Sequence, residues 1–170
     1  HPNFAFNYMT KRVKDEEMDG LDLSCLRICC NGAEPCFYES HQMFANRFQK
    51  WGFRPESLSI VYGMAEVTNS VFAAGHREPI KVDCIDRKLL QTEHRAEPVK
   101  EQDPSLMRML GVGRPLAGTA FRILDEARGE LPERHVGEVA INSRAKFHGY
   151  YRNHEATVQA DHHGWYLTGD

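Results

Sequence analysis

Three short clusters hold the residue types that can do chemistry. In Tyr62-Gly63-Met64-Ala65-Glu66 an aromatic face, a glycine and a carboxylate follow one another closely. A carboxylate oxygen is a hard ligand suited to Mg²⁺ on phosphates, because that ion keeps several waters and takes only one or two protein carboxylates. Asn31-Gly32-Ala33-Glu34-Pro35 offers small residues that leave main-chain N–H and C=O groups open to a planar heterocycle. Tyr166-Leu167-Thr168-Gly169-Asp170 closes on an acid whose two oxygens can accept from two adjacent hydroxyls, as on a ribose. Each cluster also has a plain structural reading: a solvated glutamate at a helix start, a strand-to-helix turn with proline at its first position, and a polar β-turn. Spacing within any single cluster does not choose between the two.

The elements that would carry these clusters can be read from periodicity. Phe4, Tyr8, Arg12 and Val13 fall at near-helical spacing behind Pro2-Asn3, which predicts a helix to about residue 15 with Asn3 as cap. Leu26-Arg27-Ile28-Cys29-Cys30 reads as a strand buried on both faces of a parallel sheet, ended by residues 31–35. Met43, Phe44, Phe48 and Trp51 recur at three- and four-residue steps, a core-facing stripe of a helix over 38–51 closed by Gly52. Leu58-Ser59-Ile60-Val61-Tyr62 is the next strand. Strand, helix, strand in that order predicts a right-handed parallel unit whose ligands lie beyond the carboxyl ends of the strands, where residues 31–35 and 62–66 emerge.

Further along, 70–74 and 80–85 predict strands, and 76–104 reads as a charged surface insertion or long loop with one helical turn near 87–90. The texture then becomes β: strands over 119–124 and 136–142 flank a turn-rich 125–132, and 153–160 predicts a short helix. Met107, Met109 and Leu110 read as simple packing. The expected class is α/β, with part of a parallel α/β subdomain over 1–110 followed by a β-rich, barrel-like subdomain over 111–170.

Composition narrows the function classes. The 170 residues are 41% hydrophobic and 26% charged, the balance of a folded globular chain. Against 24 Asp+Glu stand 21 Lys+Arg, a net charge of −3, so no global field favours nucleic acid or an anionic bilayer. No apolar run reaches the ~20 residues of a membrane span. Five cysteines, an odd number, are expected as free, small buried apolar residues in a reducing, cytoplasmic compartment. Their spacing does not suit zinc knuckles, and Asp161-His162-His163 reads as a solvated loop rather than a metal site. Trp165 and Tyr166 read as core or pocket-wall aromatics. A start at His1-Pro2 without Met and a stop at Asp170 suggest a piece cut at both ends.

The three clusters stand in order with Val112-Gly113-Arg114-Pro115, Gly137-Glu138-Val139 and Gly149-Tyr150-Tyr151 between them. In that series the chain resembles the adenylate-forming superfamily of acyl- and aryl-CoA synthetases, peptide-synthetase adenylation domains and fatty acyl-AMP ligases. Residues 31–35 and Asp86-Arg87-Lys88-Leu89-Leu90 are most similar to the fatty acyl-AMP ligase branch, which also carries an extra segment where 76–104 falls. The resemblance implies ATP and Mg²⁺ as partners of a fatty acid or other carboxylic acid, with an acyl carrier protein or CoA as acceptor. It implies that Gly32, Ala33 and Glu34 line the adenine pocket and that Tyr62 stacks on the base within the binding motif Tyr62, Gly63, Met64, Ala65. It further implies that Glu66 is the catalytic, metal-holding carboxylate and that Asp170 grips the ribose, all about one AMP moiety. Ala65 and Leu167 replace the family's usual threonine and arginine, and Ala65 removes a hydroxyl near the α-phosphate. The family's phosphate loop and catalytic lysine are outside this sequence, so the piece alone is expected to be inactive. Three functions remain open: a fatty acyl-AMP ligase feeding a carrier protein, an acyl-CoA synthetase, and a non-catalytic adenylation-like binding module.

Overall fold

A computed structural model describes residues 1–75 and 79–170. The chain forms two compact units, each assembled from separated segments: 1–63, 72–83 and 108–114 in the first, 64–71, 84–107 and 115–170 in the second.

The first unit opens with α1, Asn3–Arg12. Asn3 is not the cap expected of it: Pro2 precedes the helix, and Asn3 is its first residue, buried, with its side chain turned to other elements. Strand β1 follows at Cys29–Asn31, shorter than the five residues expected. Leu26 and Ile28 lie outside it and stay 38% and 46% exposed, because only three residues pair with the next strand and the preceding stretch lines an open apolar cavity of about 570 Å³. Helix α2, Tyr38–Phe48, continues into a 3-10 turn at Gln49–Trp51 and stops at Gly52. Of its expected stripe, Phe44 and Phe48 are buried, whereas Met43 is 42% exposed on the outer side.

Strand β2, Leu58–Gly63, runs parallel to β1 with Asn31 opposite Ile60, so the parallel unit read from the sequence is present. The core of this unit is aromatic. Phe44 packs edge-on against Phe6 at 4.9 Å and Phe53 at 5.1 Å between ring centres, with Phe48 at 4.6 Å and Met18 and Leu58 completing the cluster. Fully burying each such side chain contributes roughly 1.5–3 kcal/mol.

The remaining strands are β3 (Ser70–Ala74), β4 (Val82–Asp86), β5 (Leu106–Leu110), β6 (Arg114–Pro115), β7 (Thr119–Leu124), β8 (Glu138–Ser143), β9 (Asp161–His162) and β10 (Trp165–Leu167). One sheet has the order β1-β2-β3-β6, a second β7-β8-β10-β9, and β4 pairs with β5. Within 76–104, residues 76–78 lie outside the described residues. The rest is more ordered than a long loop: β4 leads into helix α3, Arg87–Glu93, where the Asp86 side chain accepts from Leu89 N at 2.9 Å as an N-cap. β5 contains the residues expected only to pack, and Met109 is 41% exposed on it.

In the second unit β7 and β8 pair antiparallel from Thr119–Ser143 to Leu124–Glu138, and β10 adds to β8 with Leu167 opposite Ala140. Helix α4, His154–Gln159, is capped by the Asn153 side chain on Ala156 N. Tyr166 is buried, and Arg122 lies over the half-buried ring of Trp165 at 4.4 Å. Asp161 bonds Lys146 and Gly164 N, a structural turn. The five thiols are free, but none is fully buried as expected: Cys25 is exposed and the others half-buried, since β1 is too short to enclose Cys29 and Cys30. Among the described residues no cluster of metal-ligating side chains occurs, and no helix is long and apolar enough to cross a membrane.

Candidate functional site

In the first unit, parallel pairing brings the carboxyl ends of β1 and β2 side by side. Gly32 follows β1 so closely that a Cβ on it would lie 2.6 Å from Val61 O and 2.9 Å from Val61 Cγ2. No side chain fits there: Gly32 is buried and its N–H donates to His1 O at 3.1 Å, while Ala33 and Glu34 after it are exposed. Ala33 takes φ +68°, turning the chain sharply in a conformation that non-glycine residues seldom adopt.

The Glu34 carboxylate accepts from Phe4 N, one of the donors that the first turn of α1 leaves unpaired. A negative charge is favoured at that helix end. Glu34 thus spends its side chain on the scaffold, and what it can offer a base is its main chain. The half-buried Tyr62 ring sits 5.9 Å from that of Phe72.

A polar network fixes the end of β1. Asn31 Nδ2 donates to Asn3 Oδ1 at 3.1 Å and approaches His41 Nε2 at 2.9 Å, while Asn3 Nδ2 donates to Ser40 Oγ at 3.0 Å and Asn3 Oδ1 also accepts from Phe37 N. All four side chains are buried. Burial pushes His41 down to about 4, so at neutral pH it is uncharged and its Nε2 can accept. Sequence reasoning missed this network, because Asn3, Asn31, Ser40 and His41 come from three elements and only Asn31 sits in a motif.

In the second unit Glu66 lies in the 3-10 turn Ala65–Val67, between Met64 and Thr68. Its carbonyl accepts from Phe147 N at 2.7 Å, and Thr68 Oγ1 donates to Ala145 O at 3.1 Å. Its carboxylate accepts from the Tyr150 hydroxyl at 2.8 Å. Glu66's own main-chain N–H, then the Tyr150 and Tyr166 hydroxyls, outweigh burial and hold its carboxyl below the usual range. The result is a firmly ionised carboxylate.

Tyr166 is pushed well up, by burial first and then by its Tyr150 and Glu66 neighbours, so it stays a hydrogen-bond donor. Phe147 packs edge-on against Tyr150 at 4.8 Å and Tyr166 at 5.6 Å. Four residues after Tyr166 comes Asp170, exposed, its carbonyl accepting from Val139 N and its N–H donating to Thr168 Oγ1. Thr168 Oγ1 in turn donates to Val139 O at 2.7 Å, and Gly169 N to Glu138 Oε1, which prolongs the β8–β10 pairing up to the acid.

The expected site residues therefore fall in two groups. Gly32, Ala33, Glu34, Tyr62 and Gly63 stand at neighbouring strand ends of the first unit, and Met64, Ala65, Glu66 and Asp170 belong to the second. Within the second, Tyr166 joins the Glu66 turn to the strand that leads to Asp170. Tyr150 stood in a recognised cluster, Gly149-Tyr150-Tyr151, without a role; nothing local in the sequence pairs it with a glutamate 84 positions away.

A parallel strand–helix–strand unit with an antiparallel sheet is the mixed α/β architecture of adenylate-forming enzymes. The solved structure of a fatty acid AMP ligase from Legionella pneumophila matches it with a TM-score of 0.90 at 30% identity, over 100% of this chain and 30% of that one. Residues 2–151 match the family described as AMP-binding enzyme, and the chain belongs to that family. It is 32% identical over 170 residues to a putative ligase of Mycobacterium tuberculosis, covering 99% of this chain and 31% of that protein. It is also 29% identical over 164 residues to JamA of Moorena producens, a medium-chain-fatty-acid acyl-carrier-protein ligase, covering 95% of this chain and 28% of that protein. The chain spans less than a third of the length of each.

Proposed function

We propose that this chain supplies the adenine, ribose and metal contacts of an ATP-dependent ligase that activates a fatty acid as its acyl-adenylate and passes the acyl group to an acyl carrier protein thiol. The observation that carries the reading is the ionised Glu66, held by a tyrosine hydroxyl in the turn that follows a strand ending in Tyr62-Gly63, in a chain of the AMP-binding enzyme family. The residues present fit the two substrates' chemistry. The exposed turn residues Ala33 and Glu34 suit the edge of a flat base, and a single ionised carboxylate suits Mg²⁺, whose remaining sites go to phosphate and water.

In this reading the acid's carboxylate oxygen attacks the α-phosphorus of ATP, the bond to the bridging oxygen breaks, and pyrophosphate leaves. The acceptor thiolate then attacks the acyl carbonyl and AMP departs. Mg²⁺, when bound, neutralises phosphate charge, and Glu66 would hold it. The chain's own residues position: Tyr62 and main chain 32–34 seat the base, and Asp170 accepts from the ribose hydroxyls. Positioning of this kind supplies much of the rate when the protein forms no covalent bond to substrate. Ala65 has no hydroxyl for the α-phosphate, so that contact comes from elsewhere.

The JamA relative supports a carrier protein as acceptor. In the full-length protein, fatty acid-dependent exchange of pyrophosphate into ATP is expected, and Glu66→Gln lowers it roughly a hundred-fold with folding intact. An unchanged rate removes Glu66 from the mechanism. Acyl product on CoA with none on a carrier protein would favour the synthetase reading, and no exchange with any fatty acid would favour a binding module. The 170 residues by themselves are expected to turn over no substrate.

A further inference from the structure

The Gly149-Tyr150-Tyr151 cluster is assigned no contact with substrate or metal above, yet the structure builds a support around its middle residue. Gly149 takes φ +149°, and a Cβ on it would meet Thr157 Cγ2 at 2.5 Å and Thr157 Oγ1 at 2.8 Å, so the chain passes tight against α4. Tyr150 N donates to Thr157 Oγ1 at 2.9 Å, and Tyr150 O accepts from Asn153 N at 3.2 Å. The main chain of Tyr150 is thereby held on both sides.

Three residues earlier, Phe147 N donates to Glu66 O at 2.7 Å, which ties the same segment to the glutamate turn. The Phe147 ring lies edge-on to both tyrosines that reach Glu66. Backbone and ring together aim one hydroxyl at one carboxylate, and Tyr150 Oη meets Glu66 Oε1 at 2.8 Å.

We infer that Tyr150 is a positioning residue: its hydroxyl, braced by Phe147 and the α4 cap, fixes the Glu66 carboxylate in the orientation that receives the divalent cation. The inference rests on the proposed role of Glu66. The physical reason is that of any outer partner of a metal ligand. A side chain already held by a hydrogen bond gives up less freedom on binding the ion, and loss of such a partner typically weakens metal affinity by about ten- to a hundred-fold. Tyr151, beside it and 86% exposed, makes no such contact and serves as control.

The test uses the full-length protein with a non-hydrolysable ATP analogue and Mn²⁺, following free Mn²⁺ by electron paramagnetic resonance. Tyr150→Phe is expected to weaken Mn²⁺ binding roughly ten-fold, with Phe147→Leu in the same direction. The KM for fatty acid, the melting temperature and the metal-free affinity for the analogue should not move. Tyr151→Phe should match the wild type. A Tyr150→Phe affinity within about two-fold of wild type, while Glu66→Gln weakens binding, overturns the positioning role and leaves the reading of Glu66 standing. If Glu66→Gln also leaves Mn²⁺ binding unchanged, the metal role of Glu66 has failed and this inference falls with it.

Discussion

At the scale of single residues, two buried or half-buried groups carry charge states set by their surroundings, with opposite purposes. Glu66 is held ionised by donors, as the proposed cation ligand must be, whereas His41 is held neutral by burial, as an acceptor inside a scaffold must be. His41 has a pH consequence. Its folded value of about 4 lies below the model-peptide value of 6.5, so between those limits the unfolded chain binds the extra proton and stability falls as pH drops. With the side chain only 3% exposed, the shift amounts to about 3 kcal/mol lost between neutral pH and pH 4. Denaturant unfolding at pH 7 and 4.5 should show this loss, and His41→Gln should flatten it; an equal slope in the variant would move the cause elsewhere. The place of Glu66, just after a strand and a Tyr-Gly pair, was legible as a local pattern. Its partner Tyr150 was not, since a contact across 84 positions leaves no periodic trace. Asn3 misled for a related reason: a residue suited to capping was used instead to bond Ser40 and Asn31 across the fold.

At the scale of elements, the parallel pair β1–β2 sets the turn that carries Gly32. A Cβ there would meet the carbonyl of Val61, a backbone atom that cannot rotate away. Gly32→Ala is therefore expected to force β1 and β2 apart at their carboxyl ends and destabilise the fold by about 1–3 kcal/mol. A denaturation midpoint equal to wild type would show that the turn has slack. Where strong periodicity or turn chemistry marked an element, the sequence was a good guide: β2, α2, β7 and the Asn153-capped α4 are present at nearly the expected positions. Where hydrophobicity alone spoke, it was not. Residues 26–30 are apolar enough for a buried strand, but only the last two pair with β2, and Leu26 and Ile28 line the cavity instead. β5 went unread because Leu-Met-Arg-Met-Leu has no β-branched residue to separate strand from packing. One helical turn was read near 87–90, and the Asp86 cap carries it on to a helix over Arg87–Glu93.

At the scale of the whole molecule, the 170 residues form two units, while the relatives are more than three times as long. In the proposed function, residues 31–35 and Tyr62, at neighbouring strand ends of the first unit, hold the adenine of ATP. The most direct measurement of this contact is photoaffinity labelling of the full-length protein with 8-azido-ATP and Mg²⁺, followed by peptide mapping with and without excess ATP. Label is expected on peptides containing Gly32, Ala33 and Glu34 or Tyr62, lost when ATP competes. Label confined to other peptides, or retained on these under competing ATP, would contradict it.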